Sequence, residues 1–139
     1  PMNFIPSTEM KISLLPEQER WLSSKESIRK QCTREDVAAF DVFKDGVCVG
    51  FALLRRWEDG FFLWDYAIDH AWQGRGLGFA ALKELIALMK ERYGAKFLTT
   101  TYIWGNDQAK ALYEKAGFTE TDVVDEPDCH EVNMLYRIE

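Results

Sequence analysis

Cysteine is scarce in this chain. Cys32, Cys48 and Cys129 are odd in number, far apart and never spaced as a C-x-x-C pair. That pattern argues against a disulfide framework and a thiolate zinc site, and Cys129-His130 alone makes no metal centre, so no metal is expected. Basic residues are also in the minority. Seventeen Lys and Arg against 23 Asp and Glu leave a net charge of −6, the wrong sign for a general nucleic-acid binder. No apolar run approaches the ~20 residues of a membrane span, so no membrane partner is expected. Pro1-Met2-Asn3-Phe4 lacks a basic segment followed by an apolar one, so no signal peptide is expected and a reducing, cytoplasmic setting is the default. Repeats, low-complexity tracts and linkers are missing too. The 139 residues read as one domain, 1–139, large enough to bury its own core.

What the chain does have is aromatic side chains, 14% with five Trp, and clear punctuation. Met10–Leu15 reads as a first strand. Pro16 suits the first turn of a helix running to about Lys30, with Trp21, Leu22 and Ile28 on its apolar face. Asp36–Lys44 and Val47–Arg56 read as strands joined by the hairpin turn Asp45-Gly46. After the turn Glu58-Asp59-Gly60, Phe61–Ile68 is a third strand of the same meander. The period then changes. Ala81, Leu82, Leu85, Ile86 and Met89 recur at helical spacing up to the C-cap Gly94. Lys96–Trp104 is a strand, and Asn106 N-caps a short helix, Asp107–Ala116, that Gly117 ends. Phe118–Val124 and Glu131–Ile138 are closing strands. The fold class is α+β with a mixed sheet.

Between the third strand and the long helix lies Gln73-Gly74-Arg75-Gly76-Leu77-Gly78. Glycines there let a ligand approach the backbone closely. The first N–H groups of the following helix have no helical partner and, with the helix dipole, suit a pyrophosphate. Arg75 adds a fixed positive charge. A dinucleotide fingerprint fits poorly. Counting from Gly74, the third glycine is replaced by Phe79. Counting from Gly76, Ala81 nearly completes it, but an antiparallel meander precedes the turn instead of a parallel βαβ unit. A P-loop is excluded because no Gly-Lys-Ser/Thr follows. On its own the turn indicates an anion at a helix start, or a plain strand–helix connection.

Gln73–Gly78 resembles the Q/R-x-x-G-x-G/A signature of the GNAT superfamily of N-acetyltransferases. Asn106-Asp107-Gln108-Ala109-Lys110-Ala111-Leu112-Tyr113-Glu114-Lys115-Ala116-Gly117-Phe118 is similar to that family's N-x-x-A-x-x-L-Y-E-K-x-G-F helix. The resemblance covers about Val37 to Ile138. It implies a GNAT-like, mostly antiparallel central sheet flanked by helices, with a splayed strand pair holding acetyl-CoA. Pantetheine is then expected on the backbone near Ala67 and Ile68. The pyrophosphate is expected on the turn, from Gln73 and Gly74 through Arg75, Gly76, Leu77 and Gly78 to Phe79, with Asn106 bordering the thioester. The resemblance also implies that the chain can form a homodimer.

The reaction so implied is direct attack of an amine on the thioester. An amine of pKa ~10.4 must first lose a proton, which costs about 4–5 kcal/mol at pH 7. The resemblance assigns Tyr113 as general acid, and the oxyanion is expected at a main-chain N–H near Ile68. Asp65 and Asp69 are the candidates for the base, Asp65 the stronger. By strict alternation the expected base position holds Trp64, so Asp65 serves only if a bulge shifts the register. His70 reads as a surface residue. Glu120, Asp122, Asp125, Glu126, Asp128 and Glu131 form an acidic run without Lys or Arg. At the acceptor cleft such a rim attracts a cation. The chain is also similar to bacterial spermine/spermidine acetyltransferases in Gln18 and Trp21, Val49-Gly50-Phe51 and Leu63–Asp69, which makes a polyamine the leading acceptor. Trp57, Trp64, Tyr66 and Trp104 are candidate cation–π walls. Protein, peptide and aminoglycoside amines are the alternatives, as is a non-catalytic acetyl-CoA-binding module.

Overall fold

The computed structural model describes residues 1–138. Strands β2 (Val37–Lys44), β3 (Val47–Trp57) and β4 (Gly60–Ile68) form the expected meander. Asp45 and Gly46 both take positive φ, 51° and 80°, the geometry of a type I′ turn between twisted strands. β1 (Asn3–Pro6) pairs with the outer edge of β2. β5 (Phe97–Ile103) runs parallel to β4, while β7 (Cys129–Arg137) and β6 (Thr119–Glu126) return antiparallel. The seven-stranded order is β1-β2-β3-β4-β5-β7-β6, with β4–β5 as its parallel pair.

Helices α3 (Leu77–Tyr93) and α4 (Asp107–Ala116) cover one face. Leu82, Leu85 and Met89, all fully buried, pack there with Phe40, Leu54, Leu63 and Leu98. Each such side chain contributes about 1.5–3 kcal/mol by leaving water. On the opposite face α2 (Lys25–Gln31) buries Ile28 against Phe51 and Leu53, together with Ile12. No helix among the described residues is long and apolar enough to cross a membrane.

Two expectations need correction. Met10–Leu15 is not a strand; the first strand is Asn3–Pro6. The alternation of Met10, Ile12 and Leu14 is real, but it packs across the sheet face in the cluster of Ile28, Phe51 and Leu53. Lys11, on the other side, reaches buried Asp41 at 2.7 Å. The single helix from Pro16 to Lys30 is two pieces, α1 (Pro16–Glu19) and α2. α1 ends at its C-cap Arg20, and Ser24 accepts the Ser27 N–H at 3.1 Å and N-caps α2, so a second helix starts there.

Gly60 begins β4 where a Cβ would overlap the Phe97 carbonyl oxygen and ring. Gly60→Ala is therefore expected to cost about 2–3 kcal/mol in a urea unfolding titration. A loss within ~0.5 kcal/mol, the range of ordinary surface changes, would mean that β4 and β5 do not meet as described.

Candidate active site

The site begins where β4 and β5 part. They pair only at Phe61–Leu98, Phe62–Thr99 and Leu63–Thr100. At the fork the Thr100 hydroxyl donates to the Leu63 carbonyl at 3.0 Å. Beyond it, β4 from Trp64 to Ile68 has no β5 partner.

A bulge sits at the same place. Asp65 faces Leu53 across the β3–β4 ladder and Leu63 faces Leu54, so Trp64 is the extra residue. It turns Trp64 and Asp65 onto the face that carries Leu53, instead of driving Asp65 into the α3 core. Asp65 is 4% exposed. One carboxylate oxygen, Oδ1, accepts the Ser23 main-chain N–H at 2.8 Å; the other, Oδ2, is buried without a partner. Burial pushes this carboxyl above its ordinary range, opposed by Ser23, which favours the charged form. Asp69, the second candidate, has both oxygens engaged. Oδ1 accepts the Ser13 N–H at 2.8 Å and Oδ2 the Ala71 N–H at 3.0 Å, capping the turn His70–Trp72. His70 is exposed.

Tyr113 projects from α4, whose N-cap Asn106 accepts the Ala109 N–H at 3.2 Å. It is 6% exposed, its ring against Phe118. Burial pushes its hydroxyl up to about 12, the Thr100 hydroxyl pulls the other way, and the Asp65 charge adds to the rise. Tyr113 thus senses the charge of Asp65, and both line a cavity of about 460 Å³ with Arg20, Trp64, Tyr102 and Glu131. A narrower cavity of about 170 Å³ adjoins it, lined by Ala67, Ile68, Gln73 and Gly78. Trp21, Leu22, Tyr66, Asn106, Ala109 and Tyr113 border both, so the two are halves of one passage.

The narrow half leads to the glycine turn. Gly76, at φ 78°, precedes α3 with no side-chain cap, and the first turn holds no acid. The first main-chain bond of the helix is Ala80 N–H to Gly76 at 3.1 Å, leaving Leu77, Gly78 and Phe79 without helical acceptors. Leu77 and Gly78 border a recess of about 200 Å³ with Gly74, Gly76 and Gln108. The donor set is unneutralised and fits a pyrophosphate. Arg75 lies over the Trp72 ring at 4.7 Å, and Lys115 over Phe79 at 4.4 Å. The Tyr66 hydroxyl donates to the Gly78 carbonyl at 2.6 Å and so ties the turn to β4. Gln73 folds back, donating to the Ile68 carbonyl at 2.8 Å and exchanging amide bonds with Gln18.

Not every expected wall is a wall. Of the acidic run, Glu131 lines the Asp65 cavity. Glu120 accepts the Tyr102 hydroxyl, Asp122 takes Asn133, and Asp125 pairs with His130. Trp57 and Trp104 stand elsewhere, against Phe97 and His130. A larger concavity of about 520 Å³ over β5 and β7 shares only Phe62 with the lining of the Asp65 cavity and has no pairing of acid and phenol. Among the described residues no group of three or more His, Cys, Asp or Glu is placed to hold a metal.

The family model of the Acetyltransferase (GNAT) family matches this sequence over residues 8–118, which hold the forked pair and the glycine-led helix. The chain belongs to the GNAT family. This GNAT chain is 33% identical over 90 residues to the spermine/spermidine N(1)-acetyltransferase of Bacillus subtilis, covering 55% of the chain and 56% of that protein. It is 34% identical over 107 residues to the L-2,4-diaminobutyric acid acetyltransferase of Streptomyces avermitilis, covering 68% of the chain and 60% of that protein. It thus spans little more than half the length of these relatives. A GNAT family acetyltransferase from Elizabethkingia anophelis, solved with acetyl-CoA bound, shares the fold. Its TM-score is 0.75 at 19% identity, over 99% of this chain and 98% of that one.

Sequence reasoning missed Ser23 and Thr100. Thr100 sits in a Thr-rich strand where nothing marks the fork. Ser23 contributes a main-chain atom, so its side chain gives no signal.

Proposed function

We propose that this GNAT domain, residues 1–139, is an acetyl-CoA-dependent N-acetyltransferase acting on a primary amine. One observation carries the reading: Asp65 and Tyr113 line a single passage whose other half opens on an uncapped helix start. Ala67 and Ile68, on the unpaired edge of β4, suit pantetheine, and the N–H groups from Gly74 to Phe79 suit the pyrophosphate. Acetyl-CoA supplies the electrophilic thioester. Asp65, its carboxyl raised by burial, takes the proton from the acceptor ammonium, directly or through water. The neutral amine attacks the carbonyl carbon and the new C–N bond forms as the C–S bond breaks. The departing thiolate takes the Tyr113 proton, and the proton shed by the acylated nitrogen returns to the phenol through water.

For the acceptor we favour a small cationic amine such as a polyamine, since Asp65 and Glu131 share the cavity wall. The likeness to a spermine/spermidine N(1)-acetyltransferase supports this choice. A second reading has its own observation. Arg20 lines the same cavity, its guanidinium 4.2 Å over the Trp21 ring, a cation suited to a diamino acid with a carboxylate. Initial rates on spermine, spermidine, 2,4-diaminobutyrate and a lysine peptide separate the readings. Equal or better turnover of the peptide would reject both, and binding of acetyl-CoA with no transfer to any amine would leave a non-catalytic module. With a polyamine, Glu131→Gln is expected to raise KM about two- to fivefold at low salt. Neutralising Asp125, Glu126 and Asp128, which lie off the cavity, is expected to change it less.

A further inference from the structure

Between α1 and α2 the chain runs Trp21-Leu22-Ser23-Ser24, and each residue has a distinct task. Trp21 and Leu22 wall both halves of the passage, and Ser24 caps α2. The Ser23 N–H is spent on neither helix; it points at Asp65 Oδ1, 2.8 Å away, across 42 residues of sequence. The segment is fastened upstream. Ser13 exchanges bonds with Asp69 and His70 at 2.8 and 2.9 Å, and Gln18 pairs with Gln73. The donor is therefore held in place before any acceptor arrives.

A carboxylate in a bulged strand is free to turn about its own torsions. One fixed oxygen removes that freedom and leaves the other, here the unpartnered Oδ2, in a single place at the cavity wall. We propose that Ser23, through its main-chain N–H, is the positioning residue for Asp65, and that the break between α1 and α2 exists to deliver it. This rests on the reading of Asp65 as the base. The other ionisable groups on that cavity are Arg20, Tyr66, Tyr102, Tyr113 and Glu131. None of them hydrogen-bonds Asp65 among the described residues; besides the N–H, the Ser23 hydroxyl also favours the charged carboxyl, to a smaller extent.

The decisive variant replaces the amide preceding Ser23 with an ester, by incorporating the α-hydroxy acid analogue of serine at position 23. The shape stays and the donor goes. Losing a hydrogen bond to a charged group is expected to lower kcat about tenfold or more. The acidic limb of the kcat/KM profile moves to higher pH, because the lost bond favoured the charged carboxyl. The KM for acetyl-CoA is expected to hold within about twofold, since the helix start is untouched. Ser23→Pro removes the same donor by a second route and is expected to shift the limb in the same direction. Ser23→Ala keeps the N–H and removes only the smaller effect of the hydroxyl, so its loss is expected to stay under about threefold. In an Asp65→Asn background the ester is expected to cost no more than about twofold, because both act through one group. An ester variant with a wild-type limb and kcat, while Asp65→Asn is impaired, overturns the positioning role alone. Full activity in Asp65→Asn overturns the base reading itself.

Discussion

Asp65→Asn is expected to lower kcat/KM by about 10²–10⁴-fold, the usual worth of a general base, while raising the melting temperature. The side chains are nearly isosteric, and the amide oxygen still accepts the Ser23 N–H. What disappears is a carboxylate that is 4% exposed with one oxygen unpartnered. Burial raises its folded-state pKa above the ~3.9 of an unfolded chain. The folded state therefore holds the proton more tightly. The stability this gives is fully present below the unfolded value and is lost as pH rises through the folded one. Asparagine never charges. The gap in melting temperature between variant and wild type should be small near pH 4 and open towards pH 7.5. The acidic limb of the wild-type kcat/KM profile, placed above ~3.9, should vanish in the variant. Full activity would remove Asp65 from the chemistry. A melting-temperature gap that ignores pH would show that the carboxyl is not desolvated.

Tyr113→Phe is expected to lower kcat about 10²-fold or more while the Kd for acetyl-CoA, measured by calorimetry, stays within about twofold. The ring keeps its contact with Phe118, whose centroid is 5.4 Å away, so the loss is confined to the hydroxyl. Burial pushes that hydroxyl up to about 12, so it keeps its proton across the working range. Tyr113 should consequently contribute no fall in rate between pH 8 and 10. An alkyl thiol ordinarily titrates near ~8.5, below a phenol at about 12, so Tyr113 meets the departing thiolate first as a hydrogen-bond donor and completes the transfer only as the proton of the acylated nitrogen replaces its own. Wild-type turnover in the variant would mean that the thiolate departs without this donor. Loss of acetyl-CoA affinity with unchanged kcat would make Tyr113 a binding residue instead.

How much of this the sequence discloses depends on how local each signal is. Asp45-Gly46, Gly94, Asn106 and Gly117 mark their turns and caps from neighbours within four residues, and all stand where expected. The glycines of the turn likewise foretell an uncapped helix start. The face of Asp65 is a different matter. It depends on one residue counted against a partner strand, and alternation within β4 holds no record of that count. Met10, Ile12 and Leu14 have the period of a strand, yet period 2 is shared by a strand paired at an edge and a segment laid across a sheet. The Ser23 N–H is a group every residue but proline carries, so only the folded chain shows which one meets Asp65.

The two halves of the passage share one wall and differ in the rest. Trp21, Leu22, Tyr66 and Tyr113 face both, the donor half alone adds Ala67, Ile68, Gln73 and Gly78, and the acceptor half alone adds Arg20, Ser23 and Glu131. Selectivity can accordingly be rewritten in isolation. A library randomising Arg20 and Glu131, with Trp21-Leu22-Ser23-Ser24 and the glycine turn left intact, explores new amines on an unaltered cosubstrate platform. Exchanging the same two residues for those of a relative of different preference is the smallest transplant that carries a choice of acceptor with it.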